Sequence, residues 1–256
     1  MSTHLPIPGL RLRTLNSASV DPDAQFVLYW MVAHRRTHWN YGLQRAVELA
    51  CELCKPLVIL EALRCDYRWA SDRFHWFVIQ GMADNAKRLA DTPVTYYPYL
   101  EPIAGAGDGL LTTLAQNACA VISDDFPSFF LPRMQAKVAQ RLPVQLELVD
   151  SNGLLPMRAT DRVFARAYDF RRYLQKELPH HLPEFPEKDP LQILDSSREY
   201  KLPSEVAEQW PPADPIALAR NAACLASFPI DHQVGPAAFD GGEQAATSSL
   251  DTFLAD

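Results

Sequence analysis

The stretch FVLYWMV at residues 26–32 decides the fold, because it is short and almost wholly apolar. Such a run is typical of a strand that is covered on both faces of a sheet. Helical spacing of apolar residues follows over residues 41–54, and Pro56 then precedes a second apolar run, LVIL, at residues 57–60. A buried strand, a helix and another buried strand predict a βαβ unit with parallel strands.

The same alternation continues along the chain. Three further strands are predicted at residues 93–97, 119–123 and 144–149. Helices are predicted at residues 72–90, 108–117, 128–141, 160–178, 214–226 and 242–254. We therefore expect an α/β fold with a Rossmann-like, doubly wound sheet of five parallel strands, with helices on both faces and right-handed connections.

Composition changes along the chain and predicts its organisation. Residues 1–24 have little periodicity and are interpreted as an N-terminal arm, and residues 25–178 form the α/β region. Ten of the 21 prolines lie from Pro179 onward, so residues 179–238 are predicted to be an extended linker. Residues 239–256 are expected to begin a helical domain that is cut short, because helical spacing is still running at the end of the sequence.

Charge and cysteine content exclude several classes of protein. The net charge of −7 is uneven, because residues 177–256 carry fourteen acids and only four Lys or Arg. The front part has a balance of +3 and can still approach an anion. No run approaches the ~18 apolar residues of a membrane helix, and no secretory signal is recognised. Five cysteines without a framework spacing argue against a disulfide scaffold, so we expect a cytoplasmic protein.

Motifs for nucleotide, metal and hydrolytic sites are missing where a doubly wound sheet would carry them. No G-x-G-x-x-G follows the first strand, and neither a P-loop nor a G-x-S-x-G elbow occurs. His34 and His38 are four residues apart, but Arg35 stands where a metalloprotease needs its glutamate. No catalytic residue and no metal ligand is therefore predicted.

Two further patterns have competing interpretations. Cys51 and Cys54 form a C-x-x-C near the end of the helix at residues 41–54. A thioredoxin-type pair lies at a helix N-terminus, so buried structural cysteines are favoured here. Arg158, Arg162 and Arg166 recur every four residues at the predicted helix 160–178. This spacing favours a solvated helix face, and the alternative is contact with DNA phosphates or with a neighbouring domain.

Three stretches in order along the chain carry a resemblance to a known family. The first is VLYWM at residues 27–31, with Arg35 and N-x-x-L at residues 40–43. The second is VDSNGLLP at residues 149–156, and the third is FDGGE at residues 239–243 with the apolar positions that follow it. Together they resemble class II DNA photolyases, the light-driven enzymes that split cyclobutane pyrimidine dimers in DNA.

The resemblance implies an α/β domain that can hold a light-harvesting antenna, a deazaflavin or a pterin, followed by a linker and a helical domain. In that family the helical domain binds FAD and the flipped dimer, and excited reduced flavin donates the electron. We expect this chain to contain the antenna half without the flavin-binding half, and therefore to be inactive by itself. Damaged DNA and a separately supplied helical FAD domain are the expected partners, and no membrane is expected.

The loops after the strand ends, at residues 31–36, 124–126 and 150–152, are predicted to form the pocket where a chromophore would bind, because open sheets bind ligands at the carboxyl ends of their strands. A ring would stack on Tyr29 or Trp30, with Arg35 and Asn152 as polar anchors. The candidate chromophore-binding residues are Tyr29, Trp30, Met31, Arg35, Asp124, Asp150 and Asn152. Two alternatives stay open at this point. One is a free-standing chromophore- or nucleotide-binding α/β module without enzymatic activity, and the other is a remnant whose sheet only mediates protein contacts.

Overall fold

A computed structural model describes residues 6–255 and contains one six-stranded sheet. Its strands are β1 (Leu12–Thr14), β2 (Phe26–Met31), β3 (Leu57–Leu63), β4 (Thr95–Leu100), β5 (Ala118–Asp124) and β6 (Leu146–Val149). The spatial order is β1-β6-β5-β2-β3-β4, and every neighbouring pair is parallel except β1 with β6. The predicted α/β fold with five parallel strands is confirmed, and a sixth, antiparallel edge strand is added to it.

The order of the strands reverses between β2 and β5. From β2 the chain proceeds outward through β3 to β4, and it then returns to β5 and proceeds outward to β6 on the other side. In such a sheet the helices that follow the two halves lie on opposite faces, and a crevice opens where the direction reverses. The carboxyl ends of β2 and β5 border this crevice.

The β2 strand is buried on both faces, as its apolar sequence predicts. Its alternate residues Val27, Tyr29 and Met31 belong to one core cluster, which includes the inner residues of α1 (Tyr41–Leu53). Phe26, Leu28 and Trp30 belong to a second cluster on the opposite face, with residues of α3 (Leu110–Ala115) and α4 (Leu131–Ala139). The period of two residues thus divides one apolar run between two layers of helices.

Local chemistry sets the limits of α1. The Asn40 side-chain oxygen accepts hydrogen bonds from the backbone N–H groups of Gly42 and Leu43 at 2.9 and 3.2 Å. This is an N-cap, which satisfies backbone donors that the first helical turn leaves free. The helix ends at Cys54, whose φ of 56° is left-handed, and Pro56 follows.

The predicted N-terminal arm contributes part of the sheet. Arg11 is 1% exposed and precedes β1, whose three residues pair with β6. No periodic pattern marks this strand, because a three-residue edge strand is too short to show one. Residues 1–5 of the predicted arm lie outside the described residues.

Two helix predictions after the sheet need correction. The helix predicted at residues 160–178 is α5 (Ala167–His181), and residues 160–166 have no regular structure. Arg158, Arg162 and Arg166 therefore precede α5 instead of forming one face of it. The helix predicted at residues 214–226 is two short pieces, α7 (Pro215–Leu218) and a 3-10 helix (Ala222–Ser227), because Asn221 caps a new turn by accepting from Ala223 N.

The region predicted to be an extended linker packs on the sheet. It contains a 3-10 helix (Pro190–Ile193) and α6 (Ser204–Gln209), and the side chains of Leu191, Val206 and Trp210 are buried in the two main clusters. Prolines in this segment start short helical turns. The proline content that predicts an extended linker is therefore compatible with short helical turns whose apolar side chains are buried.

Two glycines dock α8 (Glu243–Ala255) against α2 (Asp72–Leu89). A Cβ atom on Gly241 would lie 2.1 Å from the Phe77 carbonyl oxygen, and one on Gly242 would lie 2.3 Å from an Asp84 carboxylate oxygen. Only glycine permits so close an approach, and Gly242 also has a φ of 100°. Asp256 lies outside the described residues.

The helices found between residues 6 and 255 include none with the length and apolar character needed to cross a lipid bilayer.

Candidate functional site

The crevice between β2 and β5 is closed by the carboxylate of Asp124. Its Oδ2 atom accepts hydrogen bonds from three successive backbone N–H groups, those of Val32, Ala33 and His34, at 2.8, 2.8 and 3.1 Å. Successive backbone N–H groups that converge in this way form an anion-binding concavity. In this protein the Asp124 carboxylate occupies the concavity.

Asp124 has a fourth donor inside the core. The Tyr29 hydroxyl donates to its Oδ1 atom at 2.7 Å and accepts from Asn40 Nδ2 at 3.1 Å. Burial, followed by the charge of Asp124, raises the pKa of Tyr29 well above its ordinary value. Space is tight, since a Cβ atom on Gly42 would lie 2.9 Å from both Tyr29 Oη and Asp124 Oδ1. We call Asp124 and its four donors the closed cluster.

Arg35 is held by a neighbouring polar group. It donates to Glu61 Oε1 at 3.2 Å, to the Ala62 carbonyl at 2.6 Å and to the Val32 carbonyl at 3.1 Å. Glu61 is completely buried, and Asn85 is among its other donors, at 2.9 Å. The guanidinium thus compensates a buried carboxylate, which limits its freedom to turn toward a ligand.

Asp150 shapes the loop that follows β6. Its Oδ2 atom accepts from Met157 N at 2.6 Å, and its Oδ1 atom accepts from Asn152 N and Asn152 Nδ2 at 3.0 and 2.8 Å. The Arg11 guanidinium donates to the carbonyl oxygens of Asp150 and Gly153 at 3.1 and 2.9 Å. The Asp150 side chain is fully buried and is used to fold the loop.

Polar atoms without partners are concentrated beside this loop. Among residues 6–255, four neighbouring side chains at this edge have buried nitrogen or oxygen atoms with no hydrogen-bond partner. They are His34 Nε2, Ser151 Oγ, Asn152 Oδ1, and Arg158 Nε and Nη2. Buried polar atoms are normally paired, so such a concentration indicates a place for a polar ligand or for water. We call these four residues the open cluster.

Further contacts fix the positions of the open cluster. Asn152 Nδ2 donates to the Asp125 carbonyl at 2.6 Å, and Arg158 Nη1 donates to Asp125 Oδ2 at 2.6 Å. Burial lowers the pKa of His34, and nearby Asp124 and Asn152 partly oppose that effect. A lowered pKa favours the neutral form of His34, in which one ring nitrogen donates and the other accepts.

Aromatic rings border the open cluster. Phe126 lies edge-on to the His34 ring with centroids 6.2 Å apart, and it is parallel to Phe129 at 6.3 Å. Phe129 is 68% exposed with a φ of 61°, and Trp69 packs against its edge. A bulky side chain rarely adopts positive φ, so the surrounding structure holds this ring in a strained position at the surface.

The predicted chromophore residues fall into three groups. Trp30 and Met31 are buried in opposite core clusters, and Tyr29 lies inside the closed cluster. The side chains of Arg35, Asp124 and Asp150 already form hydrogen bonds within the protein. Asn152 alone belongs to the open cluster, and the binding roles of all seven residues stay predictions.

The three arginines predicted to contact DNA or another domain lie in different environments. Arg158 belongs to the open cluster, whereas Arg162 lies over the Phe164 ring at 4.9 Å. Arg166 is 75% exposed and pairs with Asp169 at 2.9 Å. The spacing of four residues does not place them on one face, because the chain is not helical there.

The loops predicted to form the pocket include His34 and Ser151, but neither residue is named individually among the predicted chromophore-binding residues. His34 had been considered as a metal ligand, and Ser151 lies within the conspicuous VDSNGLLP stretch. The useful signal was their position after the carboxyl ends of parallel strands, where open sheets bind ligands. Which polar atoms lack partners depends on tertiary contacts and could not be read from the sequence.

The closed cluster does not fit the pyrophosphate of a dinucleotide such as FAD. In dinucleotide-binding sheets the phosphates occupy the N–H groups that follow the first strand. Here Asp124 occupies those donors, and its negative charge would repel a phosphate. The open cluster differs from the closed cluster, because its donors and acceptors are unpartnered and the Phe126 ring lies edge-on to His34.

Comparison with known proteins gives one recurrent name. The chain is 27% identical over 245 residues to a deoxyribodipyrimidine photo-lyase of Methanothermobacter thermautotrophicus, covering 95% of this chain and 50% of that protein. It is 26% identical to a deoxyribodipyrimidine photo-lyase of Arabidopsis thaliana over 72% of this chain and 38% of that protein. A protein of the same name from Potorous tridactylus is 24% identical over 64% of this chain and 31% of its own length.

No family model matches the chain. The chain spans about half the length of the archaeal relative, and its matches cover smaller shares of the plant and marsupial relatives. The similarity includes the strands that form the parallel sheet, since it extends over nearly the whole chain in the archaeal case. These three similarities support the photolyase family for this chain.

Proposed function

We propose that this chain is the N-terminal α/β part of a class II-type deoxyribodipyrimidine photolyase, which repairs cyclobutane pyrimidine dimers in DNA with light. The observation that carries the proposal is the match to a photo-lyase over 95% of the chain. The doubly wound sheet supports it, and so do the three sequence stretches that resemble class II enzymes. Residues 25–178 are the antenna domain in this proposal, and residues 179–238 are its connector.

The open cluster is the proposed chromophore site. A deazaflavin or a pterin is planar and carries amide-like groups along one edge, which need both donors and acceptors. Arg158 and Ser151 offer unpartnered donors, Asn152 Oδ1 offers an acceptor close to the His34 ring, and the Phe126 ring lies edge-on to His34. The bound chromophore would absorb light and pass the excitation to a flavin. The residues of this chain would bind and orient it and exclude water from its polar edge.

FAD and the damaged DNA are assigned in this proposal to a helical domain, in the same protein or on a separate chain. The closed cluster supports this division, because Asp124 already neutralises the N–H groups that nucleotide phosphates use. Arg162 and Arg166 are surface cations and stay candidates for contact with DNA or with that domain.

Titration of the purified chain with a 5-deazaflavin and, separately, with a reduced pterin tests the chromophore site. We expect one of the two to bind at micromolar concentration, with a rise in its fluorescence anisotropy. Arg158→Ala and Asn152→Ala should each weaken binding about tenfold, which corresponds to the loss of roughly one ligand hydrogen bond to a charged or buried group.

Arg162→Ala is the matched control, because it removes an arginine four residues away that has no part in the open cluster. The affinity of the Arg162→Ala variant for the chromophore should equal that of the wild-type chain. Absence of binding by either compound, or equal losses for Arg158→Ala and Arg162→Ala, would remove the open cluster from the proposal.

Repair of dimer-containing DNA under illumination tests the enzymatic assignment. The chain alone should repair nothing, and addition of a helical flavin domain from a related photolyase should restore repair. Failure of the supplemented mixture to repair, combined with firm chromophore binding, would favour the alternative of a free-standing chromophore-binding module.

A further inference from the structure

Cys51 and Cys54 are both exposed at the end of α1. This corrects the expectation of buried structural cysteines, which assumed that their helix face is covered. The face is covered over most of α1, but the last turn projects beyond the core cluster and meets the segment that follows the 3-10 helix Pro190–Ile193. Cys65 and Cys119, in contrast, are buried.

The two thiols occupy one helical turn. Residues three apart in a helix have Cα atoms about 5 Å apart, which lies within the range of about 4.4–6.8 Å found in disulfides. The Cys54 N–H bonds to the Cys51 carbonyl at 3.1 Å, so the turn is closed at this point. Both residues line the same open cleft of about 220 Å³.

Charges of both signs surround the pair, since Asp195 lines the cleft and pairs with Arg198 at 2.9 Å. Arg198 donates to the Cys54 carbonyl, and Lys55 lines the same cleft. The Cys51 thiol contacts the Ile193 carbonyl at 3.6 Å. Burial and the nearby Cys54 raise the pKa of Cys51, while Arg198 acts in the opposite direction. The fraction of Cys51 present as thiolate, the form that attacks a disulfide, therefore increases as the pH rises.

We propose that Cys51 and Cys54 form a reversible thiol–disulfide couple, a redox modification site on the α/β domain. Oxidation by a low-molecular-weight disulfide such as glutathione disulfide proceeds in two exchanges. A thiolate of the pair attacks the glutathione disulfide, forms a mixed disulfide and releases one glutathione. The second thiol of the pair then displaces the other glutathione, so that one protein disulfide forms and two glutathione thiols are produced. Each cysteine loses one hydrogen, and the process is independent of the chromophore site.

Oxidation of the folded chain with glutathione disulfide, followed by alkylation and tryptic mass analysis, tests the proposal. Cys51 and Cys54 lie in one tryptic peptide, residues 46–64, because Lys55 precedes a proline. We expect that peptide to lose two hydrogens and escape alkylation, and a dithiol reductant to restore both alkylation sites. Cys65 and Cys119 should be unchanged under the same native conditions.

Cys51→Ser and Cys54→Ser separate an internal disulfide from separate reactive thiols. Each variant should retain a stable glutathione adduct on its remaining cysteine, whereas the wild-type chain should not. In addition, the reduced wild-type chain should bind one equivalent of phenylarsine oxide, which bridges two adjacent thiols, and both variants should lose that binding. Glutathione adducts on wild-type Cys51 and Cys54 without a link, or no arsenical binding, would overturn the proposal.

Discussion

The closed cluster after β2 and the open cluster after β6 lie at the same edge of the sheet, but their polar atoms are used differently. In the first, a buried carboxylate meets four donors between 2.7 and 3.1 Å. In the second, buried atoms of four side chains have no partner. Strand order thus locates the edge where a ligand can bind, while the hydrogen bonds already formed within the protein determine which part of that edge is available.

Removal of the closed cluster's carboxylate should have the largest effect on stability. Asp124→Ala leaves three backbone N–H groups and the Tyr29 hydroxyl without an acceptor, so we expect the free energy of unfolding to fall by about 3–5 kcal/mol. Urea denaturation followed by circular dichroism measures this change. The exposed Asp161→Ala is the control and should stay within about 0.5 kcal/mol of wild type. A loss below about 1 kcal/mol for Asp124→Ala would show that the two clusters do not differ as described.

Asp150→Ala should have the next largest effect, because it connects stability with binding. The substitution removes the acceptor of Met157 N and of two Asn152 donors, and we expect a loss of about 2–3 kcal/mol. Because Asn152 would then be held mainly by the Asp125 carbonyl, chromophore binding should also weaken at temperatures where the variant is folded. Retention of wild-type affinity would mean that the loop after β6 does not depend on this carboxylate.

Two serines provide a matched pair with a smaller effect. Ser123 Oγ donates to the Trp30 carbonyl at 2.8 Å beside the closed cluster, whereas Ser151 Oγ has no partner within the described residues. Ser123→Ala should lower the free energy of unfolding by about 1 kcal/mol, and Ser151→Ala should change it by less than about 0.5 kcal/mol. Equal losses in chemical denaturation would contradict the assignment of Ser151 to the open cluster.

The smallest expected effect is a pH dependence at His34, where the two clusters meet. Burial lowers its pKa in the folded chain, so below the unfolded value of about 6.5 the unfolded state binds more protons. The free energy of unfolding should therefore fall as the pH falls below about 6.5. His75 contributes in the same direction, because burial lowers its pKa to about 4.

His34→Gln separates the two contributions. The variant should lose less stability than wild type between about pH 7.5 and about pH 5, and the remaining decrease should come largely from His75. Identical pH dependences of the two proteins in urea denaturation would place His34 outside the buried edge.

The parallel sheet could be predicted from the sequence because buried parallel strands are apolar along their whole length, and β2 shows this most clearly. The edge strand β1 could not, since Leu12–Thr14 is short and one-sided. The spacing of Arg158, Arg162 and Arg166 predicts that they lie on a helix. The chain there is not helical, and one of its contacts is the hydrogen bond that the Tyr173 hydroxyl donates to the Ala159 carbonyl. Regular spacing indicates which face of a helix a residue would occupy, but it does not show that the helix forms.

The location of several candidate residues could be predicted from the sequence, whereas their binding roles stay predictions. Asp124, Asp150 and Asn152 were selected because they follow strand ends, and they do lie at the carboxyl edge. Polar residue types alone cannot distinguish a side chain that folds a loop from one that is left free for a ligand. Tyr29 illustrates the difficulty, because its hydroxyl is committed to Asp124, a residue 95 positions away in the sequence.

The contact made by the first residue of α8 gives the loop after β2 a second attachment point. Glu243 accepts from Thr37 N and Thr37 Oγ1 at 3.3 Å and lies 2.9 Å from His38 Nδ1. Asp124 thus fixes the start of the loop and Glu243 fixes its end, while His34 lies between them. The position of the His34 ring therefore depends on two attachments that come from distant parts of the sequence, one at the end of β5 and the other at the start of α8.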